Sequence, residues 1–225
     1  IGCATAAGPA FEGAGLTFGM RAGDGAVGHV WLDGDREPPR IEVIGQGGPI
    51  GICGTAYIDF VARARQRGLI SRTARFVIDD HPCLVNHKTH GRAFVVARPE
   101  HGDPLLITEA DMASLLQAKA AIAAGIICLL READLQAQDV RTVFLAGGFG
   151  FHMHLDSLLG CGMLPEFRTD QVEAVGNTAL AGAYLALLDS GALHEIRRIS
   201  NQMQIIELNL VPGFEMVYVD QLSLP

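Results

Sequence analysis

The sequence predicts an α/β fold, a mixed sheet flanked by helices, and three observations predict it. Short apolar runs of strand composition alternate along the chain with longer runs of helical period. Four glycine-rich segments punctuate it: AAGPAFEG at residues 6–13, GPIGICGT at 48–55, LAGGFG at 145–150 and VGNT at 175–178. Three of these four precede an expected helix, where free backbone N–H groups favour an anion. Finally, 49% hydrophobic and 19% charged residues in 225 describe a buried globular chain, large enough for one domain or two small lobes. Several glycine loops on such a chain point to a protein that handles nucleotide or phosphate.

The elements follow in order. Residues 1–25 are rich in glycine and alanine and carry little periodicity. Strands are expected at 26–32 and 40–44, joined by the polar, proline-containing turn 33–39. The loop 45–54 feeds a helix over 55–67, with Ile58, Val61 and Ala62 on its apolar face and Gly68 as its stop. Short strands at 76–78 and 93–97 flank a polar loop. The strongest helix spans 109–131: Thr108 and Asp111 form a capping-box pattern, and Met112, Leu115, Ile122, Ile126 and Leu130 share a face. Residues 142–146 read as a strand central in a sheet covered on both faces. A short helix over 155–159, an Asn177-capped helix over 178–188 and a hairpin of 204–210 with 214–219, turned at Pro212-Gly213, complete the chain.

Charge and cysteine usage exclude several classes. A net charge of −8 without a basic cluster argues against nucleic acid. No apolar run approaches the roughly 20 uninterrupted residues of a membrane helix. Cys3, Cys53, Cys83, Cys128 and Cys161 are dispersed without a Cys-x-x-Cys pair, which suits a reducing cytoplasm and buried, inert thiols. It also argues against an iron–sulfur cluster held by these residues, which needs four clustered thiolates. The chain begins at Ile1 with neither Met nor a signal peptide, so the natural start is expected upstream.

Candidate chemistry concentrates in few places. Gly147, Gly148 and Gly150 leave the C-terminal end of an expected strand, the edge where open α/β sheets bind ligands. The segment is neither a Walker A loop nor a dinucleotide fingerprint, and a ligand-free tight turn is the competing reading. Lys119 falls between Leu115, Ile122 and Ile126 in the middle of an apolar stripe, where an ammonium is paired, snorkels out or meets a nucleotide. Glu12, the one acid in its glycine-rich stretch, orients a water or metal or accepts backbone hydrogen bonds. His81, Cys83, His87 and His90 match no strong zinc spacing and read as a polar loop; His152 and His154 read as solvent-facing.

Taken together, AAGPAFEG, GMRA at 19–22, GICGTAYID at 51–59, QAKAAIAAG at 117–125, LAGGFG and VGNTALAGA at 175–183 resemble the C-terminal part of the ATP-dependent reductive activators of corrinoid proteins. Those activators belong to the superfamily of actin, sugar kinases and heat-shock chaperones (ASKHA). The likeness covers nearly the whole chain. It implies a ribonuclease H-like, actin-like lobe, mostly the second of a two-lobed fold, with the 2Fe-2S domain, the middle region and the Asp-x-Gly-Thr phosphate hairpins lying outside residues 1–225. It further implies that Gly147, Gly148 and Gly150 approach the adenosine and that Lys119 lies on the helix bordering adenine and ribose. Gly8 and Glu12 would sit near the phosphates or lobe cleft, and Gly51 and Gly54 in the cofactor region; Thr55 and Ala56 depart from the family's Ser-Gly. The implied function is to return a Co(II) corrinoid protein to Co(I) with MgATP, in the cytoplasm, with a corrinoid protein as partner and a homodimer as an option. The competing readings are a small-molecule kinase lobe of the same superfamily and a non-catalytic docking module.

Overall fold

The computed structural model describes the backbone of residues 1–225 and every side chain except those of Phe149 and Phe151. After an irregular start holding one 3-10 turn, Ala10–Glu12, the chain forms strand β1 (Ala26–Trp31), strand β2 (Arg40–Val43) and strand β3 (Gly51–Ile52). β1 is the middle strand, antiparallel to β2 and parallel to β3, so this small sheet is mixed. Burial follows position. Ala26, Val27 and Val30 of the central strand are wholly buried, whereas edge strand β2 alternates outward and inward.

Helix α1 (Gly54–Gln66) packs across β1. Its small and aromatic residues Ala56, Tyr57, Phe60 and Ala64 are inaccessible to solvent, and Gly68 ends it at φ 69°. Strands β4 (Leu84–His87), β5 (Gly91–Ala97) and β6 (Leu105–Thr108) then form an antiparallel meander. Phe94 of β5 meets Phe60 of α1 with ring centroids 5.0 Å apart, joining the second sheet to the first unit's core. Helix α2 (Glu109–Glu132) starts where expected: Thr108 accepts from the Asp111 N–H while the Asp111 carboxylate accepts from the Thr108 N–H. By length and a mean hydropathy of 1.9, α2 is long and apolar enough to cross a membrane, although Gln117 and Lys119 interrupt it. Here it is an interior helix, with Met112, Ala120, Ala123 and Ala124 fully buried by protein.

The last third holds strand β7 (Val143–Ala146), the short helices α3 (Gly148–Phe151) and α4 (Leu155–Gly160), strand β8 (Val172–Gly176), helices α5 (Thr178–Leu188) and α6 (Ser190–Gln202), and helix α7 (Phe214–Asp220). Three expectations fail in this region or before it. β7 is not central: it pairs in parallel with β8 alone, and Phe144 is 64% exposed. Residues 76–78 form no strand, only a bridge from Phe76 to Ile70, while the polar stretch expected to be loop supplies β4. The expected hairpin of 204–219 is a 3-10 turn, Leu208–Leu210, followed by α7. Gly213 does take the left-handed φ of 80° that a turn needs, but it caps a helix, because Val217 gains burial as α7 lies on α2. Packing overrides the β-propensity of Phe214, Val217, Tyr218 and Val219.

Candidate functional site

The irregular N-terminal segment, β1, β2 and the start of α3 converge on a pocket of about 530 Å³. Its wall combines Glu12, Arg21, Gly28, His29, Glu42, Thr55, Gly148 and His152. That volume falls within the range of small-molecule sites, and the lining mixes apolar surface with few polar groups. A larger recess of about 680 Å³ lies around Arg63, Arg65 and Asp156 between α1 and α4, but none of the four glycine-rich segments lines it.

The candidate residues named from the sequence separate into groups. Glu12 and Gly148 line the pocket together although 136 positions part them. Gly147 turns the chain at φ 103°, a conformation open mainly to glycine. A Cβ on Gly148 would meet no atom within 4 Å, whereas one on Gly150 would press on the Leu145 side chain. Gly8, at φ 66°, also borders open space. Gly51 and Gly54 serve close packing in this structure: a Cβ on Gly51 would strike Met20, and one on Gly54 would fall 1.7 Å from the Phe11 carbonyl oxygen.

Lys119 does not line the pocket with Gly148. It is 3% exposed, and its Nζ donates to the carbonyls of Gln221 and Ser223, each at 2.8 Å. Burial pulls its ammonium below the usual lysine range, with Cys161 opposing the shift. Cys161 is wholly buried and its thiol is pushed up to about 11, so it stays protonated near neutrality, as an inert core thiol does.

Beside the pocket is a cluster that sequence reasoning missed. Asp59 of α1, 1% exposed, receives His29 Nδ1 at 2.8 Å on Oδ2 and the Ser157 hydroxyl on Oδ1. His154 Nδ1 lies 3.1 Å and 3.2 Å from the two carboxylate oxygens. Burial works to raise the Asp59 carboxyl, but the hydrogen bonds from His29 and Ser157 and the adjacent His154 outweigh it and hold it below the ordinary carboxylate range. The two imidazole rings face each other at 4.0 Å, and Trp31 flanks both. His154 is therefore not simply solvent-facing; it stands at the N-cap of α4, aimed at Asp59. One signal was legible: an aspartate inside Ala56-Tyr57-Ile58-Asp59-Phe60-Val61 is a charge in an apolar run, which needs partners.

Comparison with known proteins identifies the family. All 225 residues match the family described as the C-terminal domain of RACo, the ASKHA domain. The chain is 32% identical over 96% of its length to "Corrinoid activation enzyme RamQ" of Eubacterium limosum, covering 38% of that protein. It is 27% identical over 99% of its length to "[Co(II) methylated amine-specific corrinoid protein] reductase" of Methanosarcina barkeri, covering 42% of it. Among solved structures, "Reductive activator for corrinoid,iron-sulfur protein" superposes with a TM-score of 0.90 at 34% identity, over 99% of this chain and 36% of the other. The chain thus spans about two fifths of these relatives.

Proposed function

Because this chain belongs to the family of RACo C-terminal ASKHA domains, we propose that it is the nucleotide-clamping region of an ATP-dependent activator returning a Co(II) corrinoid protein to Co(I). The observation that carries this reading is the pocket itself, which joins the 145–150 loop to the Glu12 segment across β1. A nucleotide fits the residues present. Gly148 leaves open space for close approach, Arg21 offers a cation to phosphates, and Glu12 and Glu42 are the carboxylates available to a Mg²⁺. MgATP would supply the free energy of binding and hydrolysis; the protein's part is to orient it, exclude water and convert occupancy into a change of shape. Gly147 and Gly148 would border the adenosine, while Glu12 and Gly8 would lie toward the phosphates.

The 2Fe-2S cluster does not fit here. Of the five free cysteines four are buried, and among the described residues no group of four thiols converges. In this reading, a 2Fe-2S cluster would be held by residues outside 1–225. A second reading, a docking module for the corrinoid protein or a second copy, is favoured by the apolar surface of α5, where Leu187 is 85% and Leu188 68% exposed.

Calorimetric titration of the intact protein with MgATP tests the proposal. Gly148→Asp should abolish binding and Co(II)-to-Co(I) conversion while leaving the melting temperature unchanged, since a Cβ there meets no described atom within 4 Å. Undiminished affinity in that variant, or corrinoid-protein binding without nucleotide dependence, would select the docking reading.

A further inference from the structure

We infer that His29, Asp59 and His154 form a binding site for one divalent transition-metal ion of the zinc class. The three residues come from β1, α1 and the N-cap of α4, and their ligand atoms all lie within 4.8 Å of one another. In a tetrahedral zinc site with bonds of about 2.0–2.2 Å, neighbouring ligand atoms stand about 3.3 Å apart. The His29 and His154 Nδ1 atoms lie 2.8 Å and 3.2 Å from Asp59 Oδ2, close to that separation.

The surroundings select the ligand atom. His154 Nδ1 approaches both carboxylate oxygens, but Ser157 donates to Oδ1, so Oδ2 is the oxygen within reach of both imidazoles, and the Ser157 bond is of the outer-shell kind that orients metal-bound carboxylates. The His29 position is fixed from the other side: the Thr55 hydroxyl donates to the Gly28 carbonyl at 2.6 Å, tying the first turn of α1 to β1. Trp31 lies 5.7 Å from the His29 ring and 5.5 Å from the His154 ring and forms an apolar flank to both. Two imidazoles and one carboxylate favour zinc, cobalt or nickel over magnesium or calcium, which take oxygen ligands. Three protein ligands leave a fourth position open, and His29 also lines the pocket beside Gly148.

Zinc content of the intact protein after equilibrium dialysis, with the visible spectrum of its Co²⁺ form, tests this. The wild type should hold one Zn²⁺ per chain and give the intense spectrum of four-coordinate Co²⁺. Ser157→Ala should weaken the ion about 10- to 100-fold. His154→Gln, at a partly exposed position that should leave the fold intact, should lose stoichiometric uptake with the melting temperature of the metal-free protein preserved. A doubled His87→Gln and His90→Gln variant, removing the stacked surface pair, should keep it. No stoichiometric uptake by the wild type, uptake unchanged in His154→Gln, or loss confined to the His87/His90 variant would each overturn the assignment and leave the cluster a hydrogen-bonded network only.

Discussion

Replacing Lys119 with Met separates the structural from the nucleotide-binding role of that residue. The ammonium is 3% exposed and donates to two carbonyls, those of Gln221 and Ser223, at 2.8 Å each. The substitution keeps the length of the side chain and removes both hydrogen bonds. A buried carbonyl that loses its donor costs about 1–3 kcal/mol. Two such losses are offset in part because a buried positive charge, whose ionised form burial already disfavours, disappears with the ammonium. The net expectation is a destabilisation of about 2–4 kcal/mol, or a fall of about 4–16 °C in melting temperature for a domain of this size. Differential scanning calorimetry reads the shift, and titration with MgATP below the transition reads affinity, which should hold within a factor of two or three. A melting temperature within about 1 °C of wild type would refute the structural reasoning. Unchanged stability with lost nucleotide affinity would go further and place Lys119 at the nucleotide.

Three other outcomes follow from the packing. Gly54→Ala would drive a methyl to 1.7 Å from the Phe11 carbonyl oxygen, so about 1–3 kcal/mol or more of stability should be lost in a urea titration; a neutral result would mean the α1 start shifts freely. Leu224→Ala should cost about 2–5 kcal/mol by the same assay, because Leu224 is fully buried among Phe11, Ile58, Leu115 and Met163; a loss under about 1 kcal/mol would show that the tail is loosely docked. The Asp59 carboxyl is lower in the folded chain than in the unfolded one, so its contribution to stability is fully present above the ordinary aspartate value and is lost as pH falls through the folded value. Asp59→Asn should therefore be less stable than wild type at pH 7 and should flatten the acid limb of the stability profile below about pH 4; parallel acid limbs would refute this.

The parts of the fold legible in the sequence were those whose signals are local. The capping box of Thr108 and Asp111, the Asn177 cap of α5 and the stop at Gly68 each depend on residues a few positions apart, and the β1–β2 pair on strands joined by one turn; each stands in the structure. What escaped depends on distant partners. Val217 is helical because α2 receives it, and no local pattern says so. Asn86 and His87 look like loop residues because β4 is an outer strand whose polar end is solvated. The α6 helix, amphipathic from Leu193 through Ile196 to Ile199, carries a helical period legible in the sequence. In the site, the glycine loops announced themselves by composition. Asp59 did not, because its partners lie 30, 95 and 98 positions away.

The tail that holds Lys119 also sets an order of events in the cell. Leu224 N–H donates to the Arg72 carbonyl, the Pro225 carbonyl accepts from Arg65, and the Leu224 side chain fills the space between α1 and α2. Sequence separations of 151 to 160 residues join the tail to α1 and the segment after it. During synthesis, α1, the meander and α2 emerge first and carry an unfilled apolar seam until residue 224 has cleared the ribosome. The segment from α1 to α2 therefore leaves core surface exposed until residues 221–225 follow it, and a chain that stops short of them would keep that seam open and be prone to aggregate rather than merely weakened.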